Sequence, residues 1–317
     1  MPQQPDTMSL FGGLPPPKPL DNFMFAAGFQ SIADAPSAIS LSNAVLLNAG
    51  RPPLEVIDEL RCEQVILGEG RKLRGCRLDV SVREGRHHIN LEVQLSSLHH
   101  MADRMVFNSS RLLGVNTPSG TEYEDLPKTT IISLLDFVYR KSHPDFHQPF
   151  GLYYEKGPEL VTDKSDYHML EIPKFRLLTP DINIPLHRWL LYLDSGYKDP
   201  DNPIVKEALQ MDQGLFQFAQ QFQRNASDPN TLYDYYGYVL ERMDEKNRLY
   251  TARLEGRDEG RDEGRVEGRV EGREEGRQEG IYTVAGNLLG INMPVDEIMG
   301  VTGLTREEVE KLRAEAP

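Results

Sequence analysis

Two acidic residues that could share one cation stand in a stretch of strict alternation. Residues 77–96 read RLDVSVREGRHHINLEVQLS. Leu78, Val80 and Val82 would take one face of a first strand, with Asp79 and Ser81 on the other. Ile89, Leu91, Val93 and Leu95 repeat the pattern in a second strand, opposite His88, Asn90, Glu92 and Gln94. Glu84-Gly85 between them predicts a two-residue hairpin turn. If Arg83 pairs with Arg86, Asp79 lies across from Asn90 and diagonal to Glu92, with Cβ atoms about 7 Å apart. Asp79, Glu92 and Gln94 then share one side of the sheet. Carboxylates so placed could converge on a hard cation such as Mg²⁺, which binds through one or two carboxylates and keeps its waters. An antiparallel hairpin with one polar, solvated face is the ordinary alternative.

Other side chains suggest chemistry less strongly. His87 and His88 are adjacent on a strand and point to opposite faces, so they cannot grip one ion together. They and the pair His99 and His100 read as surface residues or as neighbours of a site. Glu171 and Lys174 flank Pro173 and read as the end of a strand. Tyr233, Tyr235, Tyr236 and Tyr238 could stack on single-stranded bases, but helical spacing favours packing of Tyr235 and Tyr238 against the main domain.

These residues need a scaffold, and the 317-residue chain is long enough for one large domain and an appendage. With 39% hydrophobic and 26% charged residues it is expected to be globular, neither collagen-like nor wholly disordered. No run approaches the ~18–20 apolar residues of a membrane span, and residues 1–20 lack the pattern of a secretory signal. Cys62 and Cys76 are the only cysteines, too few for a disulfide framework, so a reducing cytoplasmic setting is expected. The net charge of −14 opposes nucleic-acid binding by bulk charge alone. A nucleic-acid site would need a local basic patch, or metal ions between carboxylate and phosphate.

The chain divides by composition. Residues 1–20 are proline-rich and predict a disordered leader. Residues 21–200 mix strand alternation, helical periodicity and turn signals, as an α/β domain should. Residues 201–254 predict a helical extension broken near Asn225 to Asn230. Residues 255–280 repeat Glu-Gly-Arg-x, with glycine at every fourth position from Gly256 to Gly280. Each glycine costs a helix about 1 kcal/mol relative to alanine, and only i,i+3 pairs such as Asp258–Arg261, Asp262–Arg265 and Glu274–Arg277 help it. A flexible linker and a helix whose smooth glycine stripe admits a second helix are both compatible with this. Residues 281–317 predict a small three-helix tail. Ile281, Val284, Ala285, Leu288 and Leu289 have helical spacing, Pro294 opens the second helix, and Thr305 with Glu308 caps the third. Residues 255–317 are thus a place where copies of the chain could associate. The tail also has the outline of a helix-turn-helix, but at net −3 it reads better as a helical cap.

The order of features resembles the PD-(D/E)XK nuclease superfamily, and within it the Rpn group of recombination-promoting nucleases and transposases. Asp21-Asn-Phe-Met-Phe25 is similar to the opening Asp-x-x-Phe, Leu78-Asp79-Val80 to the strand aspartate, and Leu91-Glu-Val-Gln94 to the Glu-x-Gln that replaces Glu-x-Lys. Arg104 falls where a helix arginine follows. Gly120-Thr-Glu-Tyr123, the segment Thr130 to Phe137, Glu171-Ile-Pro-Lys-Phe175 and Trp189-Leu-Leu-Tyr192 resemble later landmarks. The Glu-Gly-Arg repeat and Thr302-Gly-Leu-Thr305 resemble the family's tails. The sequence departs from the pattern in two places. Phe107-Asn108-Ser109 carries one aromatic where the helix usually has more, and the third acidic ligand is open among Asp21, Glu55, Asp58 and Glu59.

The resemblance implies a restriction-endonuclease-like mixed sheet flanked by helices, followed by the helical C-terminal extension. It implies Mg²⁺, or Mn²⁺, on Asp79 and Glu92, a water oriented by Gln94, help from Arg104, and hydrolysis of DNA phosphodiester bonds. Gln94 cannot supply a lysine's positive charge, so a nuclease-like protein that binds without cutting is the alternative. A helix-turn-helix regulator built on residues 290–313 is a third reading.

Overall fold

The computed structural model describes residues 13–30, 32–66, 76–96 and 99–315, without the side chains of residues 63–66, 76 and 77. The leader expected at 1–20 falls mostly outside the described residues. Two compact units divide at Val239 and Leu240.

The first unit is built on a mixed six-stranded sheet. Its strands are β1 (Glu59–Ile66), β2 (Cys76–Glu84), β3 (His87–Gln94), β4 (Lys128–Leu135), β5 (His147–Tyr153) and β6 (Leu160–Glu171). They lie in the order β1-β2-β3-β4-β6-β5. β1, β2 and β3 are antiparallel neighbours, β3, β4 and β6 run parallel, and β5 returns antiparallel at the edge. The sequence explains this order. β4 is buried from Thr129 to Leu135, as a central parallel strand covered on both faces must be. β5 carries Pro149, which an edge strand tolerates.

Helices cover both faces. On one side lie α1 (Asn22–Ala27), α2 (Ala35–Asn48), α4 (Pro185–Asp194), α5 (Pro203–Met211) and α6 (Gln213–Asn225). They bury Phe25, Leu41, Trp189, Val205 and Phe218 with Val80, Leu91 and Ile132 of the sheet. The stretch from 203 to 225, expected in a separate extension, therefore contributes to the main core. On the other side α3 (Met101–Val115) sets Met101, Met105 and Leu112 on Ile131, Leu135 and Met169. Glycine permits two close approaches of α6. A Cβ on Gly28 would lie 2.3 Å from the Phe218 ring, and one on Gly214 would lie 2.4 Å from Ser40 Cβ. A polar chain ties α2 to β5 and β6. Asn48 Nδ2 donates to His147 Nδ1 at 2.7 Å, which leaves His147 Nε2–H to donate to His168 Nδ1 at 3.0 Å.

The helix α7 (Pro229–Gly290) contains the whole Glu-Gly-Arg repeat. Its glycines would meet nothing within 4 Å if they carried a Cβ. The three i,i+3 pairs form, at 3.7 Å for Asp258–Arg261, 3.9 Å for Asp262–Arg265 and 2.7 Å for Glu274–Arg277. In the second unit α8 (Val295–Thr302) and α9 (Arg306–Glu315) close a small core around Ala285, Ile298 and Val309. Pro294 is the residue before α8, one position earlier than expected, because the helix begins at Val295. Gly303 ends α8 at φ 75, and Thr305 and Glu308 cap α9 reciprocally. No helix among the described residues is long and apolar enough to cross a membrane.

Candidate active site

The β2–β3 hairpin forms where expected, but its register differs by two residues. Glu84 pairs with His87, and Val80 with Leu91, so Gly85 and Arg86 make the turn. Gly85 stands first in that turn at φ 54, the place where a type II′ turn needs glycine. Arg83 pairs with His88 instead of Arg86. Asn90 pairs with Ser81, so Asp79 is not across from it, and the ladder ends at the Val80–Leu91 pair. The alternation also breaks there. Leu78 packs with Met101 and Met105 beneath α3, apart from Val80 and Val82, which join the main core. Asp79 Oδ2 accepts from Val93 N at 3.1 Å, a side chain standing in for the ladder partner as the two strands part. Asn22 Nδ2, in the first turn of α1, donates to the same Asp79 oxygen at 3.2 Å and to Val93 O at 2.8 Å.

Glu92 lies under α3 and is 2% exposed. Asn108 Nδ2 donates to its Oε1 at 2.6 Å, and Arg104 Nε is 3.9 Å from its Oε2. The spacing of Arg104 and Asn108, one helical turn apart, places both on the face that meets β3. Burial pushes the Glu92 carboxyl up to about 7. The Arg104 guanidinium opposes that rise, and the Asp79 carboxylate adds to it. The two acidic groups therefore feel one another, with a half-exposed arginine at long range as counter-charge.

The remaining candidates are distributed as follows. Gln94 Nε2 donates to Ser96 O at 3.3 Å, so its amide is engaged at its own strand end. Three of the four acidic groups considered as a third ligand sit at the hairpin end of the sheet. Glu59 pairs with Arg83 in the β1–β2 ladder, Asp58 Oδ2 accepts from Gly85 N at 2.6 Å, and Glu55 N donates to Glu84. Four residues of strand, about 13 Å, separate Arg83 from Asp79. Asp21 caps α1 by accepting from Phe23 N at 3.1 Å, beside the Asn22 that reaches Asp79. His87 Nε2 bonds Thr130 Oγ1 at 2.8 Å, and His100 pairs with Asp103 at 3.2 Å. Tyr235 and Tyr238 pack on Phe23, with ring centroids at 6.0 and 5.8 Å.

Among the described residues no cluster of three or more histidine, cysteine or acidic side chains could hold a metal. The donor set is thus two carboxylates, one with an oxygen engaged by Asn22 and Val93 and the other by Asn108. Such a set fits a hard ion that keeps several waters and does not fit a soft transition metal. Asn22 and Asn108 were not expected from the sequence. Asn108 carried a signal in its i,i+4 spacing from Arg104. Asn22 carried only its place beside Asp21.

No curated protein and no solved structure matches the chain. The sequence model of the PD-(D/E)XK nuclease family transposases matches residues 31–252, which include both carboxylate strands, α3 and the whole sheet. That match covers most of the chain, and the fold is the restriction-endonuclease-like α/β arrangement such a member requires. The chain belongs to the PD-(D/E)XK nuclease family transposases.

Proposed function

We propose that the protein is a metal-dependent endonuclease that hydrolyses DNA phosphodiester bonds, of the Rpn recombination-promoting kind. The observation that carries this reading is the buried Glu92 carboxylate, raised in part by Asp79 on the adjacent strand. Asp79 and Glu92 would hold Mg²⁺ or Mn²⁺. When bound, the ion supplies Lewis acidity toward the scissile phosphate and acidifies a coordinated water. Asn22 and Val93 N fix the Asp79 carboxylate, and Asn108 fixes that of Glu92. Glu92 has to release its proton to serve as an anionic ligand. Arg104, half exposed beside Glu92, would meet negative charge arriving from solvent. Gln94 would turn from Ser96 O to donate to the attacking water.

That required turn supports a second reading, in which the domain binds DNA without cutting it. The helical tail would then serve assembly of copies through residues 255–317. A supercoiled-plasmid assay separates the readings. Nicking that needs Mg²⁺ or Mn²⁺ and disappears in Asp79→Ala and Glu92→Ala supports the enzyme. Metal-independent retention of plasmid without nicking supports the binder.

A further inference from the structure

A recess lies on the same face of the sheet as Glu92. It is an open cleft of about 970 Å³ between the start of α3 and the loop leading into β5. Ala102, Tyr139, Phe150 and Met169 give it an apolar floor, and Arg140 and Lys141 stand on its rim. Both basic residues are exposed, and among the described residues neither side chain has a carboxylate partner. The single acidic residue in the lining, Asp145, is 3.6 Å from His143. The lining thus carries a formal charge of +1 in a chain of net charge −14.

The wall is held rigidly. Glu171 and Lys174, a buried pair 3.0 Å apart, brace it from behind. Glu171 accepts from Tyr139 N at 3.0 Å, Arg140 N at 3.3 Å and Gln148 Nε2 at 2.6 Å. Lys174 Nζ donates to Arg140 O at 2.9 Å and His143 O at 2.6 Å. A buried ion pair spent on one surface loop fixes where Tyr139, Arg140 and Lys141 stand.

The cleft is also in register with the carboxylates. Glu92 pairs with Ser133, Ser133 with Met169, and Met169 with Gln148 of the cleft wall. Three strand spacings of about 4.8 Å put Gln148 some ~14 Å from Glu92. α3 bridges the two places, since Ala102 lines the cleft and Arg104 reaches Glu92.

We propose that this cleft holds an unpaired nucleotide of the DNA strand, its base against Tyr139 and Phe150 and its phosphates on Arg140 and Lys141. The assignment rests on the nuclease reading and narrows its substrate to DNA with a single-stranded segment a few nucleotides from the scissile bond. Every base offers a π-face for stacking, so the preference is for an unpaired strand and not for a sequence. A duplex keeps its bases stacked internally and cannot offer one to the floor.

The test uses full-length Asp79→Ala protein in EDTA, where no cleavage occurs, and fluorescence anisotropy with labelled hexathymidylate. The hexamer is expected to bind roughly tenfold or more tightly than an abasic hexamer of equal charge. Tyr139→Leu is expected to remove that difference, and a long hairpin-closed duplex without single-stranded ends to bind more weakly than the single strand. The Arg140→Ala, Lys141→Ala double variant is expected to flatten the salt dependence by a slope of about 1.4. Equal affinity for hexathymidylate and its abasic analogue, or an unchanged salt slope in the double variant, overturns the assignment. Binding needs neither metal nor turnover. Absent plasmid cleavage with intact base-dependent binding would therefore count against the nuclease reading alone.

Discussion

Asn108 Nδ2 donates to Glu92 Oε1 at 2.6 Å, and the carboxylate it holds is 2% exposed. Replacing Asn108 with leucine removes that donor and leaves the acid oxygen without it. The cost expected is about 1–3 kcal/mol of stability at pH 8, measured by urea unfolding. Metal-dependent cleavage should fall in parallel, because Glu92 loses the group that orients it.

Glu92 itself makes folding depend on pH. Its carboxyl is raised from 4.5 to about 7, mainly by burial, so the native state binds the proton more tightly than the unfolded chain does. The stability this proton contributes is fully present below about 4.5 and is lost as pH rises through about 7. Above that, the buried charge costs about 3 kcal/mol relative to an ordinary glutamate. Glu92→Gln avoids the charge. Without metal, its melting temperature should exceed that of the wild type at pH 8 and equal it near pH 4.5. A variant less stable at pH 8 would contradict the assignment of Glu92 as a buried acid whose charge costs stability.

The same proton competes with the metal. Below pH 7 the apparent affinity for Mg²⁺ should fall about tenfold per pH unit, and above pH 8 it should level off, since one ligand must deprotonate to bind. Cleavage at fixed subsaturating Mg²⁺ should follow that curve. A flat profile from pH 6 to 8 would mean that Glu92 is not a ligand.

Two classes of glycine should respond in opposite directions. A Cβ at Gly214 meets Ser40 Cβ at 2.4 Å and Pro36 O at 2.5 Å, so Gly214→Ala should destabilise the first unit by roughly 1–3 kcal/mol. Gly260 and Gly268 meet nothing within 4 Å, so alanine there should raise helicity, by about 1 kcal/mol each. Circular dichroism and thermal melts compare the two. If the glycine stripe is also where copies meet, the helix-strengthening alanines should weaken self-association seen by light scattering.

The sequence made some of this architecture legible. Period-two alternation from Leu78 to Leu95 marked β2 and β3, because side chains on a strand alternate by geometry alone. The turn was placed one residue early, with Glu84 first, although glycine is the residue a type II′ turn needs there. A slip of two residues by itself changes partners and not faces, so the side chains from Val80 onward keep the faces that alternation assigns them. It also hid the neighbourhood of Asp79 and Glu92, whose charges act on one another. The break in alternation at Leu78 was not legible, because it depends on α3 covering the end of β2. Asn22 was out of reach for a similar reason. Its bond to Asp79 spans 57 residues of sequence, and no local pattern encodes such a contact. The Arg104–Asn108 spacing was readable, but it acquires meaning only once α3 is known to lie over β3.

The central claim is that Asp79 and Glu92 jointly hold a divalent cation. Isothermal titration of Mg²⁺ and Mn²⁺ at pH 8 into wild type, Asp79→Ala and Glu92→Gln tests it most directly. The account predicts one site per wild-type chain and none in either variant, with all three proteins folded by circular dichroism. Undiminished binding in both variants, or no binding by the wild type, would contradict it.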